Sequence, residues 1–133
     1  DSGFGPDRAE TTARLGTLAE AGVTFALHSD YNLVVGPMAP LIAAWVAVNR
    51  IAGDEATVMA PGERISVDRA LRAITVDAAF VLRRDHEIGS LEVGKLADLA
   101  ILGADPYEVE PIDLRNVPVL GTIVGGAVHM AND

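Results

Sequence analysis

Apolar positions first recur at helical spacing in residues 6–21, where Leu15, Leu18 and Ala19 fall on one face. Pro6 suits a first helical turn, Asp7 favours its positive end, and Gly22 stands where a glycine stop belongs. The pattern then changes to Val23-Thr24-Phe25-Ala26-Leu27, a short β-rich run that predicts a strand ending at His28-Ser29-Asp30. A strand directly after a glycine-stopped helix is half of an α/β unit. Residues 31–40 carry the breakers Gly36, Pro37 and Pro40 and read as irregular. From Pro40 to Ile51 the chain is apolar nearly all round, which predicts a buried helix with Trp45 in the core. Gly53-Asp54-Glu55 should end it, and residues 54–65 read as a loop. Ser66 is a good N-cap for the next helix, although Arg69 stands where a full capping box has Glu. Leu71, Ile74 and Thr75 share a face, and a further short helix runs from Thr75 through Leu82.

Near Arg83 the period changes. Arg83-Arg84-Asp85-His86-Glu87 is a charged break, followed by turn and strand signals. Gly94-Lys95 reads as a hairpin-like turn, Leu99–Leu102 as a strand and residues 103–111 as a long loop. Gly125-Gly126 divides the apolar runs 119–124 and 127–130, a strong two-residue hairpin signal. Helices and one strand therefore come first, and short antiparallel strands last.

The 133 residues are one domain or a piece of one, and their 50% hydrophobic content supports a real core. With 5% aromatic residues and a net charge of −9, neither nucleic acid nor an anionic membrane is a partner to expect. The absence of cysteine excludes disulfides, thiolate metal sites and cysteine nucleophiles. No apolar run approaches the roughly 20 residues of a membrane span. The first residues are not a signal peptide, which leads to the expectation of a cytoplasmic protein.

Among the polar motifs, His28-Ser29-Asp30 offers base, nucleophile and acid types, but strand alternation points Ser29 away from the other two. No Gly-x-Ser-x-Gly elbow surrounds it. His28 and Asp30 can share a face near one metal; equally, His28 can be hydrogen-bonded and Asp30 can cap the following turn. Position favours chemistry, because α/β sites form at the C-terminal ends of strands. A carboxylate there can bind metal or take a proton from a metal-bound water. Gly89–Lys95 has phosphate-loop spacing, but Leu96 occupies the hydroxyl position, so strand-turn-strand is expected. Asp98, inside an apolar strand, reads as a turn anchor.

Gly89-Ser-Leu-Glu-Val-Gly-Lys-Leu-Ala-Asp-Leu-Ala-Ile-Leu102 closely resembles a C-terminal signature of the amidohydrolase superfamily. Val119–Val128 is similar to the family's final hairpin, and Ser66–Ala79 to the helical segment before those strands. Ala26–Asp30, with Trp45 and Arg50 on the following helix, resembles the branch that includes the N-substituted formamide deformylases. The resemblance implies an α/β fold: the C-terminal part of a (β/α)8 barrel, followed by antiparallel strands of a small β-sandwich domain. Residues 1–82 would be the end of the barrel and 83–133 the sandwich strands. It implies a metal-dependent hydrolase of amide or formamide C–N bonds, with zinc as the expected metal. Asp30 matches the family's eighth-strand aspartate, which binds metal and moves the proton from attacking water to leaving amine. Tyr31 and Asn32, on the loop after it, are the candidate substrate contacts. His28 stands where glycine is often found and is not an expected ligand. The family's His-x-His strand is absent from this sequence.

Two readings follow. In the first, the chain is the C-terminal portion of such an enzyme, incomplete and inactive alone, acting in its parent on a small-molecule amide. In the second, it is a non-catalytic structural or assembly module that retains only the amidohydrolase tail, since fold alone does not confer activity. A bare strand at 23–27 and a helix at 41–51 stripped of its barrel wall predict either self-association or capture by the remainder of the enzyme as another chain.

Overall fold

The computed structural model describes residues 11–28, 39–51 and 57–131. Among these residues, four short α-helices precede a three-stranded antiparallel sheet: α1 (Leu15–Glu20), α2 (Pro40–Asn49), α3 (Val67–Ala73), α4 (Val76–Val81), β1 (Leu99–Leu102), β2 (Val119–Val124) and β3 (Ala127–Met130). Two 3-10 helices, Pro61–Glu63 and Pro111–Asn116, lie in the connections.

Helix α1 is shorter than the periodicity of residues 6–21 suggests, and residues 1–10 lie outside the described residues. Its first turn has no capping side chain of its own. The Glu63 carboxylate supplies one from across the fold, accepting hydrogen bonds from Thr17 N (2.8 Å) and Thr17 Oγ1 (2.6 Å). The glycine stop forms as expected. Gly22 adopts φ +69°, Gly22 N–H donates to Ala19 O and Val23 N–H to Leu18 O, the pair of bonds of a Schellman motif.

Helix α2 is the centre of the core. Leu41, Ala44, Trp45, Ala47 and Val48 are buried on it and pack with Ile65, Ala70, Leu114 and Val117. Trp45 is 5% exposed, and its Nε1–H donates to Ile112 O at 2.7 Å. Asn49 Nδ2 bonds to Pro111 O at 2.8 Å, and the Arg115 guanidinium lies 4.4 Å from the Trp45 ring. The 3-10 helix at 111–116 thus takes the place of the wall the sequence expected this helix to lose. Most of the apolar side chains of α2 are covered, with Val46 left exposed, a smaller bare patch than that expectation held. The helix stops at Asn49, before Gly53, because Arg50 turns to a left-handed φ of +57°. The Arg50 side chain is buried and donates to Met59 O (3.2 Å) and Thr12 O (2.8 Å).

Ser66 caps α3 as predicted, its hydroxyl accepting from Arg69 N at 3.1 Å. Thr75 separates α3 from α4 and returns its hydroxyl to Leu71 O at 2.7 Å. Beyond α4 no further α-helix occurs among the described residues. Residues 83–98 form successive turns; Leu96 N–H reaches Glu87 O (2.8 Å) and Lys95 N–H reaches Glu92 O (3.1 Å). The turn at Gly94-Lys95 is present and the strand expected after it forms as β1, but no strand precedes it among the described residues. Gly89 takes φ +93° and lies against Ala79, which holds this stretch on α4 as packed turns.

The sheet order is β1-β2-β3. Val124 pairs with Ala127 across Gly125 (φ +55°) and Gly126 (φ +84°), two positive values that match the right-handed twist of a two-residue hairpin. Asp98 does anchor a turn: its Oδ1 accepts from Gly125 N at 2.8 Å. The segment 23–28 is extended in sequence character but has no ladder partner among the described residues, so the expected parallel strand is not formed there. A strand needs a neighbour to satisfy its backbone; here Leu27 N–H finds Ala73 O at the end of α3 instead, at 3.0 Å.

Candidate active site

The candidate site begins where segment 23–28 ends. Of the residues singled out by sequence, His28 is described and lies exposed, and it is not without an interaction partner. Ser29, Asp30, Tyr31 and Asn32 lie outside the described residues. What the structure does describe is the support leading up to them.

That support is built on Arg69. Its Nη1 forms an ion pair with Asp77 Oδ2, its Nη2 donates to Val23 O at 3.2 Å, and its guanidinium stacks 4.0 Å from the Phe25 ring centroid. Asp77 is 9% exposed and has a second cationic neighbour, Arg72 Nη2, at 3.7 Å. A buried carboxylate without cations would be costly; the two arginines remove that cost and fix α3 against α4. Sequence reasoning passed over Arg69 and Asp77. The available signal was the Arg at the capping-box position, a side chain freed from its own helix terminus to reach across to a neighbouring segment.

His86 pairs with Glu87 at 3.5 Å, and His129 lies on β3 opposite Thr122. Neither joins the 23–28 segment. No group of three or more His, Cys, Asp or Glu side chains able to hold a metal occurs among the described residues. The described residues therefore do not themselves fit a metal centre.

A groove of about 540 Å³ opens between α4 and β1. Its walls are mostly apolar, with Leu82, Ile88, Leu91 and Leu99 among them, and Ser90 on its rim. Ser90 donates to Glu92 Oε1 and receives a hydrogen bond from Lys95 Nζ at 2.7 Å. Lys95 Nζ is also 3.2 Å from Glu92. The hydrogen bond from Ser90, and then Lys95, hold the Glu92 carboxyl below its ordinary range. A carboxylate held in its charged form by these donors is a poor base for the Ser90 proton. The trio locks the 90–95 turn and is not a nucleophilic site.

Comparison with known proteins supplies the class. The family model described as "Amidohydrolase family" matches residues 1–129. The chain is 36% identical over 115 residues to N-substituted formamide deformylase of Arthrobacter pascens, covering 85% of this chain and 20% of that protein. It is 38% identical over 110 residues to Protein LONG AFTER FAR-RED 3 of Arabidopsis thaliana, covering 83% and 18%. It is 30% identical over 122 residues to an imidazolonepropionase of Bacteroides fragilis (strain YCH46), covering 90% and 26%. No solved structure matches it. The chain belongs to the amidohydrolase family. It spans about a fifth of the length of the curated relatives it matches. Among the described residues no helix is long and apolar enough to cross a membrane.

Proposed function

We propose that this chain is the C-terminal portion of a hydrolase acting on the C–N bond of a small amide or formamide, with Asp30 as its proton carrier. Support comes first from the family match over residues 1–129 and from the similarity to a formamide deformylase. The imidazolonepropionases match less of this chain or match it at lower identity, and their substrate class is the neighbouring possibility.

In this reading residues 1–82 close a (β/α)8 barrel and residues 83–133 give the last strands of a small β-sandwich. The protein would act in the cytoplasm. Asp30 lies just past the segment held by Arg69, and a carboxylate in that place can accept the proton of an attacking water and return it to the departing amine. Tyr31 and Asn32 follow it and would contact substrate. His28, which is exposed, is assigned no ligand role. Metal dependence, with zinc, is part of the proposal through the family. One carboxylate does not complete a four-ligand zinc site, so the other ligands have to come from residues beyond those described, and no step is derived through the metal here.

The test is an assay of the full-length enzyme that carries this chain, with N-substituted formamides, simple amides and imidazolonepropionate as alternative substrates. Release of formate from the formamides supports the reading. Turnover of none of the three C–N substrates contradicts it.

A further inference from the structure

We draw no further inference here: the strongest candidate, the apolar groove between α4 and β1 with Leu91 and Val93 exposed on the turn beside it, is a bare apolar face, and nothing in the structure shows what covers it.

Discussion

Glu63 shows how one side chain can serve as the missing terminus of a helix. It accepts from the backbone and hydroxyl of Thr17, and Arg14 lies 3.7 Å away. The hydrogen bonds from Thr17 hold its carboxyl below the ordinary glutamate value of 4.5, with Arg14 adding a smaller effect. Because the folded value is depressed, the stabilisation is fully present above pH 4.5 and is lost as the pH falls below it. Glu63→Gln should therefore lower stability at neutral pH and flatten its acid dependence, with the two urea midpoints converging under acid conditions. The partner position is equally constrained. A Cβ on Gly16 would lie 2.9 Å from both Glu63 Cα and Gly62 O, backbone atoms that cannot rotate away. Gly16→Ala is expected to cost about 1–3 kcal/mol by urea denaturation, the usual range for overpacking. None of this was legible in the sequence. Gly16 looks like a weak point in a helix, and Glu63 like part of an acidic loop, because a cap supplied from 46 residues away leaves no local pattern.

At the scale of elements, the legible features were those with local causes. Ser66 capping α3, Gly22 closing α1 and Gly125-Gly126 turning β2 into β3 each follow from the chemistry of one or two residues. The strand at 23–27 failed to appear because a strand is not a local object: its hydrogen bonds need a neighbour. The 3-10 helix at 111–116 was missed for a related reason, since it is held by Trp45 and Asn49 of α2 through Ile112 O and Pro111 O. Asp98 joins the two cases. Its sequence context suggested a turn anchor, but the turn it anchors lies 27 residues on. Asp98→Ala should destabilise the hairpin by about 1 kcal/mol, whereas Asp98→Asn, which keeps an acceptor oxygen, should cost much less. Thermal unfolding of the two variants, with amide exchange at Gly125, checks the difference.

For the whole molecule, the exposed apolar surface lies elsewhere than the sequence suggested. Helix α2 is mostly covered apart from Val46, while Leu82 (65%), Leu91 (77%) and Val93 (109%) stand out around the α4–β1 groove, and Val128 and Met130 lie on the edge strand β3. The outer edges of β1 and β3 carry no ladder partner among the described residues. Bare edges beside apolar side chains favour association. The 133-residue chain should form dimers or larger species by light scattering and bind an apolar dye. A clean monomer at high concentration would contradict this. The same chain should show no appreciable hydrolase activity with any added divalent metal, since Asp30 and His28 alone under-coordinate it.

The functional motif was legible only as a resemblance, since under the proposed reading Asp30 acts together with ligands that are not found among the described residues. The most direct measurement of the central claim is therefore the kinetics of Asp30→Asn in the full-length enzyme, set beside His28→Ala. Asn keeps the size and hydrogen-bonding shape of the side chain but not its basicity. If Asp30 carries the proton, kcat falls by about 10²–10⁴ while KM changes little, and His28→Ala costs less than about tenfold. If Asp30 only caps a turn, Asn caps as well and activity survives. Retention of kcat in Asp30→Asn, with activity abolished in His28→Ala, would contradict the account.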